Sequence, residues 1–158
     1  INGFPTIILW AVAAIVIVWF IWNKTTFGKN LYAVGGNPEA ASVSGISVFA
    51  VTVGAFVLAG ILYGFGSWLE CARMVGSGSA AYGQGWEMDA IAACVVGGVS
   101  FTGGIGKISG VVVGVLIFTA LTYSLTILGI DTNLQFVFEG IIILVAVTLD
   151  CLKYVQKK

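Results

Sequence analysis

Of 158 residues, 59% are hydrophobic and 22 are glycine, while charged residues make up 9%, against roughly 25% in a soluble globular domain. With a mean hydropathy of +1.05, the chain is too apolar for a water-soluble fold. Seven basic and seven acidic side chains cancel, so there is no basic face to hold a nucleic-acid backbone.

Histidine is absent, which removes the usual general base near neutral pH and the commonest metal ligand. Cys71, Cys94 and Cys151 are far apart with no Cys-x-x-Cys pair. They suggest neither a zinc site nor a disulfide framework and read as small buried hydrophobes. No cofactor is implied. The chain begins at Ile1 without a charged segment ahead of its first apolar run; this is not a signal-peptide layout, and a piece of a longer protein is expected.

A bilayer core of about 30 Å asks for roughly 20 apolar residues in a helix. The first uncharged run covers 5–22 and is followed by a polar loop, 23–45. Within that loop, Asn37 can cap free amides and Pro38 suits the first helical position. Glu39 complements the positive helix end and Gly45 can terminate the turn. A short helix over Asn37, Pro38, Glu39, Ala40, Ala41, Ser42, Val43 and Ser44 is predicted. Ala40, Ala41 and Val43 are expected to be exposed on it as a small apolar knob suited to a partner's groove.

The second run covers 46–69 and leads into an outer loop, 70–89, that is rich in Gly, Ser and Ala. Gly76-Ser77-Gly78-Ser79-Ala80-Ala81 matches a loose dinucleotide pattern there, but no strand precedes it. The third run, 90–106, is short and glycine-rich, of marginal length for a crossing, and a short helix finished by irregular backbone buried in protein is the alternative; it is treated as a crossing because the alternation of loop charge requires one. Gly103-Gly104-Ile105-Gly106-Lys107 imitates a phosphate loop but fails it. Phe101 stands where the first glycine belongs and Ile108 where Ser or Thr belongs.

Runs 108–130 and 134–149 complete five predicted transmembrane helices in an all-α membrane protein. Gly106, Gly110 and Gly114 recur every four residues, as do Gly60 and Gly64. Both sets are expected to admit close helix approach. Glu139 is the one acid inside an apolar run. The favoured reading is that it reaches outer headgroup water by snorkelling; the other is a pairing with another span or with solute.

Putting the loop with Lys24 and Lys29 in the cytoplasm also places Lys107, Lys153, Lys157 and Lys158 there, six of the seven basic residues. Glu70, Arg73, Glu87, Asp89 and Asp131 then face outward. Trp19 and Trp22 fall at the inner interface and Trp68 and Trp86 at the outer one, as anchors rather than ligand stackers.

Two blocks carry a resemblance. Gly28-Lys29-Asn30-Leu31-Tyr32-Ala33-Val34-Gly35-Gly36-Asn37-Pro38-Glu39-Ala40-Ala41 resembles the cytoplasmic loop of bacterial sugar ABC-importer permeases of the ribose, xylose and galactose type. The run from Glu87 to Gly106, with Ala93-Cys94-Val95-Val96-Gly97-Gly98-Val99-Ser100-Phe101 at its centre, is similar to the same family's glycine-rich signature. That wording and Leu149-Asp150-Cys151-Leu152-Lys153-Tyr154 are nearest to the galactose/methyl-galactoside branch.

The resemblance spans the chain but only the C-terminal half of such a permease. It implies a non-catalytic bacterial inner-membrane subunit with a cytoplasmic C-terminus. Its implied partners are separate ATP-binding subunits, a second permease copy and an extracytoplasmic sugar-binding protein, with sugar as solute and lipid around it. By the same resemblance, Asn37 to Ser44 match a coupling helix that docks on the ATPase. Gly97, Gly98, Gly103, Gly104 and Gly106 fall in the part packed near the translocation path, next to Gly110 and Gly114. Glu139 departs from the lysine often found before this glycine in the family. An ion-driven transporter or channel fragment is the alternative, but it calls for more ionisable residues deep in the spans, and a purely structural membrane subunit leaves the capped loop helix without a purpose.

Overall fold

The computed structural model describes residues 6–74 and 82–155. Contacts divide the chain into two compact units, Ile1–Tyr82 and Gly83–Lys158. The dinucleotide-like stretch in the outer loop falls outside the described residues. Among those described, the elements are all helical, as the sequence predicts.

The first unit opens with α1 (Thr6–Lys24), whose residues are apolar all round and are not buried within the unit, the pattern of a helix whose surroundings are themselves apolar. It is long and apolar enough to cross a membrane. Lys24 closes its last turn, where positive charge suits the helix dipole, and its Nζ sits 5.9 Å from the centre of the Trp19 ring.

Thr25 then ends one helix and starts the next. Its hydroxyl donates to the Ile21 carbonyl at 2.6 Å and accepts from the Gly28 amide at 3.3 Å. The chain turns so tightly that a Cβ on Gly28 would overlap the Trp22 carbonyl oxygen. Helix α2 (Thr26–Gly36) follows, where the sequence reading has irregular loop. Its signal is Phe27, Leu31 and Val34 at i, i+4 and i+7, all partly buried.

Helix α3 (Pro38–Val43) packs on α2 and on α4 (Val48–Arg73). Ser47 caps α4 by accepting from the Ala50 amide at 3.3 Å. The Phe27 ring of α2 lies against Gly54 of α4, so close that a Cβ there would come within 2.7 Å of the ring. Trp10 of α1 meets Phe65 and Trp68 of α4 edge-on, with ring centres 6.1 and 6.2 Å apart. The start of α1 thus meets the end of α4, so the two run antiparallel. Trp68 is part of this aromatic cluster as well as a candidate interface anchor.

The second unit consists of α5 (Trp86–Val96), α6 (Ile108–Ile127) and α7 (Thr132–Val155). Here the predicted crossing 90–106 is corrected: its helix has 11 residues and ends at Val96, about half of a bilayer core. The cause is glycine. Gly98, Gly103 and Gly104 take φ of 82°, 90° and 70°, left-handed conformations that end a helix. The backbone to Lys107 is irregular and closes a loop in which Ser100 donates its amide to the Ile105 carbonyl at 3.0 Å.

Ala92 and Ala93 of α5 and Phe118 of α6 form the buried core, and Ile142 and Ile143 of α7 pack against it. Along α6, the hydroxyls of Thr122, Ser124 and Thr126 donate to carbonyls three or four residues back in their own helix. This hides their polarity from apolar surroundings. Of the cysteines, Cys71 is exposed rather than buried, because it lies on the open face of α4, and Cys94 is half-buried.

The close approach of α5 and α6 predicts that Gly114→Ala costs about 2 kcal/mol or more, because the new methyl meets backbone, which cannot rotate away. Thermal unfolding of the protein in detergent measures this, and an unchanged transition temperature would refute the contact.

Candidate functional site

Helix α3 is built as its local sequence specifies. The Asn37 side chain accepts from the Ala40 amide at 3.0 Å, Pro38 occupies the first turn, and Glu39 lies at the positive end. At the other end the Gly45 amide donates to the Ser42 carbonyl and the Ile46 amide to the Ala41 carbonyl, each at 3.0 Å. With Gly45 at φ 83° this is a Schellman stop. The Ser44 hydroxyl adds a bond to the Ala40 carbonyl at 2.9 Å.

One expected feature is corrected. Ala41 is 4% exposed because it faces inward, where α3 packs on α2 and α4. The open apolar surface is Ala40 and Val43, with Val43 91% exposed at the last turn. Ala41 anchors α3; Val43 is what another molecule would meet.

The glycine set in the second unit divides by role. Gly97, Gly110 and Gly114 come together with Ala93. A Cβ on Gly97 would stand 2.5 Å from the Gly110 carbonyl oxygen, and one on Gly114 would overlap the Ala93 carbonyl. A Cβ on Gly106 would stand 3.3 Å from the Val99 side chain. Gly98, Gly103 and Gly104 serve the turns rather than a helix face. In the first unit, Gly60 and Gly64 meet nothing within 4 Å. The same four-residue spacing therefore produces close packing in one unit and open surface in the other.

A site the sequence reading does not assemble lies at the start of α5. A cavity of about 180 Å³ is lined by Trp86 and Asp89 of α5, Thr122 of α6, and Thr132, Gln135 and Glu139 of α7. Glu139 is 4% exposed, so the expected reach to headgroup water is overturned: it turns inward to the cavity that Asp89 also lines. Asp89 Oδ1 and Glu139 Oε2 are buried without a hydrogen-bond partner. Gln135 is held by donation to the Ile130 carbonyl at 2.9 Å. The signal was available as Thr132, Gln135 and Glu139 at i, i+3 and i+7, a polar stripe on an otherwise apolar helix.

Residues 1–147 match the family model described as the permease component of the branched-chain amino acid transport system. The chain belongs to this permease family. It is 62% identical to a galactose/methyl galactoside import permease protein of Treponema pallidum over 98% of its own length and 29% of that relative's. It is 51% identical to the protein of the same description in Escherichia coli, over 96% of this chain and 45% of that one. A ribose import permease protein of Bacillus subtilis is 43% identical over 94% of this chain and 46% of its own length. The chain thus spans less than half of each of these relatives. No solved structure matches it. Family and helices together make this permease a multi-pass membrane protein.

Removing the cap of α3 tests its construction: Asn37→Ala costs about 1 kcal/mol locally and speeds hydrogen exchange at the Ala40 amide roughly fivefold. Exchange mass spectrometry on the full-length permease reads this, and an unaltered rate would show that the cap is idle.

Proposed function

We propose that this chain is part of the membrane subunit of an ATP-driven sugar importer, with galactose or a methyl galactoside as solute. It performs no catalysis itself. The observation that carries the reading is the likeness over 96–98% of the chain to permeases whose names specify those sugars. In support, the long helices offer no histidine and few ionisable groups, whereas an ion-driven pathway calls for several deep in the spans.

In this reading α3, residues Asn37 to Ser44, lies on the cytoplasmic face of the bacterial inner membrane and docks on a separate ATP-binding subunit. Val43 and Ala40 enter a groove on that subunit, and Glu39 sits at the rim. The loop charge supports this orientation, with Lys24, Lys29 and Lys107 on the same side. A second permease copy completes the path, and an extracytoplasmic binding protein delivers the sugar. When the ATPases close, α3 moves with them because Ala41 and the caps tie it to α2 and α4. Differential docking in the two states then shifts the spans between outward and inward openings. The packed glycines Gly97, Gly110 and Gly114 border the part that moves.

Two variants test the docking. Val43→Glu and the pair Glu39→Lys with Ala40→Arg should weaken association with the ATP-binding subunit by tenfold or more and reduce galactose uptake in proportion. Co-purification and uptake in vesicles containing the full-length importer measure both, and undiminished assembly with undiminished uptake refutes the assignment. In the same preparation, a cysteine replacing Glu39 should react with an impermeant maleimide only from the cytoplasmic side; labelling from outside reverses the topology.

A further inference from the structure

We infer that the cavity between the start of α5, the last third of α6 and the start of α7 holds a neutral polyhydroxylated ring, the transported monosaccharide, in transit. This rests on the importer reading above and adds a place for the solute to it.

Position comes first. Gly97, which caps the end of α5, meets Gly110 of α6, and Ala93 meets Gly114, so the two helices run antiparallel, and Trp86 and Thr122 line the same cavity. Helix α6 continues to Ile127, about 7 to 8 Å further. The start of α5 therefore lies below the end of its neighbour; Trp86, Glu87 and Met88 of its first turn are exposed, while Asp89 is partly buried at the cavity.

Chemistry comes next. Glu139 is more than nine-tenths buried, lines the cavity and keeps Oε2 without a partner, as Asp89 keeps Oδ1. A buried polar atom left unmatched costs on the order of 1–3 kcal/mol, so two at one cavity favour a guest that satisfies both. Both atoms are carboxyl oxygens, and hydroxyl groups are their natural donors. Gln135 has its nitrogen committed to the Ile130 carbonyl, and the Thr122 hydroxyl is turned to carbonyls of its own helix. The amide oxygen of Gln135 and the hydroxyl oxygen of Thr122 remain as further acceptors. Trp86 supplies an aromatic wall for the C–H face of a sugar ring.

A cavity of about 180 Å³ has room for several water-sized groups. A hard cation fits less well: it takes six or more close oxygens, whereas the lining supplies two carboxyl groups. No Lys or Arg lines the site, which disfavours an anion.

The test uses the full-length permease with its ATP-binding subunits in vesicles, supplied with galactose-loaded binding protein. Glu139→Leu should lower the initial galactose uptake rate about tenfold or more, the size expected when a hydrogen bond to a carboxyl oxygen is lost. Co-purification with the ATPase should persist, and Glu139→Gln, which keeps shape and one acceptor, should recover at least about a third of the rate. Uptake within twofold of the unmodified importer in Glu139→Leu overturns the inference. So does uptake that disappears when sodium is replaced by choline, which would make the cavity a cation site. If Glu139→Leu fails to assemble, Gln135→Leu decides by the same threshold. An unmodified importer that takes up no sugar refutes the transport reading itself, and this inference with it; an unmodified importer that works beside an equally active Glu139→Leu refutes the inference alone.

Discussion

Where α5 crosses α6 the two backbones touch with no side chain between them, Gly97 on Gly110 and Ala93 on Gly114. In apolar surroundings, burying more hydrocarbon brings helices little advantage, and attraction depends on how closely backbones approach. This contact fixes the register of a helix only 11 residues long, too short to persist by itself. The rest of the second unit follows from it. Phe118 fills the space beyond the glycines and covers Ala92 and Ala93, and Ile142 and Ile143 of α7 close over that core.

The same register explains why a polar cavity exists in so apolar a chain. Pinned at its C-terminal end, α5 runs out beside Thr122 while α6 goes on. The acidic residues of its first turn, Glu87 and Asp89, suit the positive end of a helix, but Asp89 is thereby brought to Glu139. Two acids 50 positions apart in the chain become neighbours because four small residues elsewhere let two backbones meet.

Much of this was legible in the sequence wherever the governing physics is local. The caps of α3 are read from Asn37, Pro38 and Gly45 because each acts within a few residues of itself. The long apolar runs appear as α1, α4, α6 and α7. What was not legible depended on partners distant in sequence. The spacing of Gly60 and Gly64 equals that of Gly110 and Gly114, and only the packed structure tells them apart. Glu139 looks like a residue near a helix end until Asp89 is placed beside it. Helix α2 is a different failure, since Phe27, Leu31 and Val34 mark an apolar face, but the polar residues between them hide it in a reading for spans. The end of α5 at Val96 lies between these cases: the glycines after it are visible, yet which of them adopt left-handed backbone is settled by the loop they close.

Helix α3 has six residues, too few to hold together in water unaided, yet it is closed at one end by Asn37 and at the other by the Gly45 turn, and Ala41 fastens it beneath. Its conformational entropy is lost when the permease folds, not when another protein arrives. A surface of this kind can be seized and released repeatedly without reforming each time, so the speed of an encounter depends on diffusion and orientation, not on the folding of a loop.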